Sequence, residues 1–303
     1  MVILQQMAIL VIMILIGFFI KKKDKMSEQT AEQLAWFVIN VANPAMILSS
    51  SMSQEIIENK NLLMALFTAI GVYCYLIIIA AILPHFLSIE KNNYGIYRAM
   101  TVFSNIGFMG FPLIAVSFGS KALLYASFFI IIYNVLIYTY GVKMLVGQQK
   151  RGGKGLVKNV FNIGSVFCLI SLVISVCHMY IPEVIQSLCT MVGQITAPIS
   201  MILIGVSLEQ ISFKELLNDK KMLIYLAVRQ ICIPIVSMFV VQQIIEDDLL
   251  RGVCLIVFTT PIGSMVFMLA QQYNIKKEQV AKMVAVSSLL SVVTIPVLAM
   301  IFL

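Results

Sequence analysis

The chain has 303 residues, 60% of them apolar and 12% charged, with a mean hydropathy of +0.98. So few polar groups cannot cover a fold of this size in water, so a large soluble catalytic domain is excluded and the chain reads as a membrane protein. A hydrocarbon core of ~30 Å takes roughly 20 helical residues per crossing, which sets a ceiling of about ten crossings. The formal net charge of +7 is therefore read against the two sides of a membrane, and no nucleic-acid partner is expected.

The first apolar run, at about 3–20, has no basic residue before it, and Lys21, Lys22, Lys23 and Lys25 follow it. A cleaved signal peptide has the reverse order, so this run reads as a retained helix whose start lies outside. Further runs lie at about 34–53, 61–83, 99–119, 121–146, 160–180, 184–208, 221–245, 250–271 and 279–303. They are mostly apolar all round and lack the period-2 alternation of barrel strands. The predicted fold class is an all-α polytopic membrane protein with ten transmembrane helices. The least marked boundaries are the Gly119-Ser120 turn and the IPEVIQS connection before the seventh helix.

Placing the start outside assigns each loop a side. Seventeen of the 21 Lys and Arg then fall in inside loops; only Lys60, Lys121 and Arg251 fall outside, and Arg229 lies within a span. One helix more or fewer would scramble this bias, so the charge test supports the count as well as the orientation, with both termini extracytoplasmic in the cell membrane. Membrane lipids are the expected surroundings, with anionic lipid a secondary partner of the Lys21–Lys25 cluster.

The prolines divide the chain into related halves. Pro44 and Pro198 are 154 residues apart, and Pro112 and Pro261 are 149 apart, each pair in corresponding helices of two five-helix sets. An odd number of helices per half makes the repeat an inverted one. The predicted organisation is a first repeat at 1–146, a basic linker at 147–159 and a second repeat at 160–303. The linker segment GQQKRGGKG lacks the spacing of a phosphate loop.

Pro112 lies about 20 Å and Pro261 about 16 Å into their helices, near the bilayer middle. Proline removes a backbone N–H and clashes with the carbonyl four residues earlier, so the fourth and ninth helices are expected to be broken there. Gly107 and Gly110 deepen the first break, and Thr259, Thr260, Gly263 and Ser264 surround the second. Unpaired backbone survives in hydrocarbon only when buried in protein or lining a wet cavity. If the broken helices cross, their second halves present two positive dipole ends to one another, a site for an anion. Ser104, Asn105, Thr259, Thr260 and Ser264 would supply neutral polar groups there, and Asn43 another amide at the same depth.

No Asp or Glu falls inside any span, so carboxylate relays and carboxylate sites for cationic cargo lack their central residue. The ionisable group well inside a span is Arg229. Two roles fit it: a snorkelling side chain, paired with Glu209, or a fixed positive charge on the route of an anionic substrate. Tyr133, Asn134, Tyr138 and Tyr140 read as interhelical hydrogen bonders rather than ligands, and the six cysteines as small membrane-core residues. No zinc-protease, rhomboid-like or aspartate-rich motif is present, so no enzyme activity and no metal or other cofactor is expected.

The runs NPAMILSS, SNIGFMGFPLIAVSFG, NVLIYTYGV, APISMILIGVSLE and TTPIGSMVFMLAQQYNIKKEQVAKMVAVSSLLSVVTIP together resemble the auxin efflux carrier family. The chain is most similar to the short bacterial members, which include permeases for malate and malonate, and it lacks the long central loop of the plant carriers. The resemblance implies scaffold and transport domains, a substrate site where helices four and nine cross, and organic acid anions as substrates. It matches Asn105 and Pro112 to the family's crossover asparagine and proline and Pro261 to their partner. It also suggests a homodimer. The resulting expectation is a secondary transporter for a small mono- or dicarboxylate, working by alternating access, with H+ or Na+ as candidate coupling ion. The alternatives are a sodium-coupled organic anion symporter of the bile-acid-transporter type, with sodium held by oxygens such as those of Thr259 and Ser264, and a membrane sensor that binds a ligand without moving it.

Overall fold

The computed structural model describes residues 2–52, 59–147, 179–209 and 219–302, with isolated residues between 166 and 177. The predicted linker beyond Gly147, most of the apolar run at 160–180, Cys168 and His178 lie outside the described residues. Within them the fold is helical, with one isolated β-bridge.

In chain order the helices are α1 (Val2–Lys22), α2 (Glu28–Phe37), α3 (Asn43–Ser51), α4 (Asn59–Phe86), α5 (Tyr94–Val102), α6 (Phe111–Leu136) and α7 (Val142–Val146). They continue with α8 (Glu183–Gln194), α9 (Thr196–Glu209), α10 (Lys220–Ala227), α11 (Ile233–Ile244), α12 (Asp248–Thr259), α13 (Ser264–Gln272) and α14 (Lys277–Phe302). Polar caps mark several starts: Ser27 accepts from the Thr30 N–H at 3.1 Å, Asp219 from Met222 at 3.0 Å and Asp247 from Leu250 at 3.0 Å. Gly119, at φ 77° and ψ −174°, interrupts α6 in a region that favours glycine, at the turn expected from Gly119-Ser120.

Pro44, Pro112 and Pro234 share one local solution. Each stands in the first turn of a helix, α3, α6 and α11, and each is preceded by a π-helical turn, at Val38–Ala42, Ile106–Gly110 and Val228–Cys232. A proline cannot donate to the carbonyl four residues earlier and its ring crowds that oxygen; the wider turn carries the chain past the missing bond without ending the helix.

Five described stretches are long and apolar enough to cross a membrane: Leu63–Phe86, Tyr125–Val146, Glu183–Leu203, Lys220–Ile244 and Lys277–Phe302. Their outward side chains include Phe67, Ile78 and Ile82 on α4, Phe239 and Val240 on α11, and Val293 and Met300 on α14, an exterior suited to lipid tails. The interior belongs to α12, α13 and the segment between them, where every residue from Gly252 to Ala270 is buried. Around it α1 lies directly on α9. A Cβ at Gly17 would stand 2.0 Å from the Ile202 carbonyl oxygen and one at Gly205 1.9 Å from that of Ile14, so the absence of side chains sets this close approach.

Candidate functional site at the crossing of two broken helices

The regular helix of α5 ends at Val102, where Phe103 turns extended; α12 ends at Thr259, where Thr260 does the same. Backbone freed in this way must find partners, and here each break supplies the other. Ser104 and Ile262 form an antiparallel bridge, in which the Asn105 N–H donates to the Pro261 carbonyl and the Gly263 N–H to the Phe103 carbonyl, both at 2.8 Å. Between them the Ile262 N–H donates to Ser287 Oγ on α14 at 3.1 Å. The approach leaves no room at Gly263, where a Cβ would meet the Tyr133 hydroxyl at 2.9 Å and the Phe103 and Ser104 carbonyls at 3.0 Å.

Beyond the pairing the chain re-enters helix on both sides. The Asn105 carbonyl accepts the first ladder bonds, from Met109 at 3.1 Å and Gly110 at 3.0 Å, so the N–H groups of Ile106, Gly107 and Phe108 precede the ladder. At α13 the Gly263 carbonyl accepts from Val266 at 3.0 Å, which leaves Ser264 and Met265 in the equivalent position. These two positive dipole ends are tied together by Ser264, whose hydroxyl donates to Asn105 Oδ1 at 3.0 Å. The other side-chain atom of Asn105, Nδ2, is buried without a partner.

A cavity of about 10 Å³, room for one water molecule, opens at this point. Asn43, Asn105, Tyr133 and Asn134 line it with polar groups, and Gly107 and Met265 bring the first turns of the two re-entering helices to its wall. Asn43 Nδ2 donates to the Tyr138 hydroxyl at 3.0 Å. Asn134 Nδ2, on a residue only 2% exposed, has no partner. The lining carries no carboxylate. The site is thus a neutral, donor-rich pocket facing two helix N-termini.

The opposite ends of the broken helices have a different environment. Arg229, 1% exposed, donates from Nη1 to the Phe258 carbonyl in the last turn of α12 at 3.2 Å, and from Nε to the Met100 carbonyl in the last turn of α5 at 3.4 Å. Gln230 Nε2 donates to the Thr259 carbonyl at 2.7 Å. The π-helical turn at Val228–Cys232 brings these adjacent side chains to the same crossing.

The structure therefore brings together Ser104, Asn105, Pro261 and Ser264 at the crossing, with Asn43 at the cavity. Pro112 begins α6 beyond the π-helical turn, and Gly110 packs between Ile106 and Ile256. Thr259 and Thr260 stand apart, because their hydroxyls donate within α12, to Leu255 at 2.7 Å and Val257 at 3.3 Å. Arg229 neither snorkels to an interface nor reaches out to Glu209: its hydrogen bonds run to helix ends in the interior. Asn134, read from sequence as an interhelical hydrogen bonder, presents an unpaired amide to the cavity, and Gln230 was not singled out at all. The signal for Gln230 was a second polar residue beside the buried arginine in an apolar run.

The sequence profile of a family described as "Membrane transport protein" matches residues 2–164 and 153–299. The chain belongs to this family, that of the auxin efflux carriers. The resemblance carried by NPAMILSS and the other quoted segments is borne out. An uncharacterized transporter of Methanocaldococcus jannaschii is 23% identical to this auxin efflux carrier family member over 299 residues, covering 95% of this chain and 94% of the relative. Family membership and the apolar helices make the protein a multi-pass membrane transporter, with a small-molecule substrate and lipid as its surroundings.

Proposed function

We propose that this protein is a secondary carrier for a small organic acid anion, a mono- or dicarboxylate, which it moves by alternating access at the crossing of the two broken helices. The observation that carries the reading is the convergence, on one carboxylate-free cavity, of two helix N-termini and the unpartnered amides of Asn105 and Asn134. Each N-terminus is equivalent to roughly half a positive charge, so the pair matches about one carboxylate group. Charge-assisted hydrogen bonds from N–H groups to a carboxylate are stronger than neutral ones, and inside a membrane no water competes for them. The substrate-binding groups in this reading are Asn105, Asn43 and Asn134 with the Gly107 and Met265 amides, while Ser264 orients the Asn105 amide and Ser104, Gly110, Pro112 and Pro261 lie along the broken segments.

The membrane arrangement we propose is ten helices as inverted repeats at 1–146 and 160–303, joined by the linker at 147–159, in the cell membrane with both termini extracytoplasmic. The antiparallel pairing of residues 103–105 with 261–263 supports it, because each break makes the same bond to the other. A cavity of about 10 Å³ is too small for any carboxylate, so cargo enters when the crossing parts from the helices that close over it.

Purified protein in liposomes, screened against labelled mono- and dicarboxylates, is expected to show saturable uptake of at least one. Pro112→Ala and Asn105→Ala should abolish it. Uptake indifferent to both substitutions would remove the site from this assignment.

A further inference from the structure

Two half-helices end at Arg229. Each C-terminus carries roughly half a negative charge, from carbonyls with no partner further along the ladder, so the ends of α5 and α12 together present about one unit of negative potential. A single guanidinium, buried to 1% exposure, lies against both, bonded to Met100 and Phe258, and Gln230 takes the neighbouring Thr259 carbonyl. No carboxylate is bonded to this arginine among the described residues, and an isolated buried cation of this kind would be costly without compensation. The two helix ends provide that compensation. In carriers built on broken helices, half-helix C-termini and unwound carbonyls are where a coupling cation is held.

We infer that Arg229 is the resident cation of the crossing: a positioning residue whose guanidinium stands, covalently attached, where a broken-helix carrier would bind a dissociable coupling ion. It holds the two C-termini together and thereby keeps the two N-termini aimed at the cargo cavity on the other side of the pairing. A cation that cannot leave cannot couple transport to its own gradient, so uptake runs without a requirement for Na+. Because the side chain hydrogen-bonds carbonyls and not cargo, its removal acts on the alignment of the site and not on a substrate contact.

The inference rests on the carrier reading above, and the test separates the two. The thermal stability of purified Arg229→Ala, Arg229→Lys and the unaltered protein is measured in choline chloride, in NaCl and with millimolar guanidinium added. Guanidinium should raise the melting temperature of Arg229→Ala by several degrees and leave the unaltered protein unmoved, since only the variant has an empty cation position. In liposomes the unaltered protein should take up carboxylate equally in NaCl and choline chloride. Arg229→Ala should lose more than about tenfold, as expected for lost charged hydrogen bonds, and regain part of it with guanidinium; Arg229→Lys should retain Na+-independent uptake at a reduced rate. Uptake by the unaltered protein that collapses without Na+ would overturn the proposal, as would an Arg229→Ala protein equal to the original in stability and indifferent to guanidinium. If Arg229→Ala does not fold, Arg229→Lys decides: Na+-independent uptake supports the proposal and Na+-dependent uptake overturns it. If the unaltered protein moves no carboxylate, the carrier reading fails and the stability comparison still decides the role of Arg229.

Discussion

Ser264 donates its hydroxyl proton to Asn105 Oδ1 at 3.0 Å across 159 residues of sequence, and this bond ties together the first turns of the two re-entering helices. It turns the Asn105 amide so that the oxygen is engaged and the nitrogen is left free for an anion. Removing either partner should therefore do most of what removing both does. We expect Asn105→Ala and Ser264→Ala to be non-additive in a double-mutant cycle on thermal stability, with a coupling of ~0.5–1.5 kcal/mol. Strictly additive losses would place the two side chains in separate roles.

Asn134 makes the opposite prediction for stability and function. Its Nδ2 is buried without a partner, which costs the folded protein the desolvation of that group. Asn134→Leu, of the same branched shape with the polar atoms replaced by methyls that fill the adjoining cavity, should raise stability by about 1 kcal/mol or leave it unchanged, while uptake falls. Thermal melting beside liposome uptake reads both; a variant that loses stability and keeps uptake contradicts a ligand-facing role.

At Gly263 the pairing of the breaks depends on the absence of a side chain. Gly263→Ala would press a methyl against the Tyr133 hydroxyl and two carbonyl oxygens, and either the bond to Phe103 lengthens or the tyrosine moves. A loss of ~1–3 kcal/mol in stability is expected, together with lost transport. An unchanged melting temperature would mean that the crossing is looser than described.

Glycines in the helices separate close packing from free surface. Gly17→Ala would place a methyl 2.0 Å from the Ile202 carbonyl on α9 and should destabilise the protein severely, whereas Gly71 on α4 has nothing within 4 Å of where a methyl would go. Gly71→Ala should stabilise by ~0.5–1 kcal/mol through reduced backbone freedom. Melting curves of the two variants shifting in the same direction would contradict the α1–α9 contact.

The second break was legible because Pro261 acts locally, whereas the first lies at Phe103–Asn105 and not at Pro112, where a π-helical turn absorbs the missing bond and the helix continues. Asn105 and Ser264 were legible as polar residues beside those breaks. Arg229 was visible as a buried charge, but its partners were not, because they are backbone carbonyls that carry no sequence signature. Thr259 and Thr260 looked like donors to the site and instead bond back into α12, a choice between equally satisfying acceptors that depends on side-chain rotamers. Asn134 could not be told from an interhelical hydrogen bonder until the neighbouring helices were in place. The contact of α1 with α9 was equally hidden, since Gly17 and Gly205, 188 positions apart, show their complementarity only when the fold brings them together.

The most direct measurement is a structure of the protein determined with a transported carboxylate bound. Density for the anion is expected between residues 104–112 and 259–264, its carboxylate against Asn105 Nδ2 and the Gly107 and Met265 amides. A carboxylate held elsewhere, or a crossing that stays closed around nothing but water while transport proceeds, would contradict it.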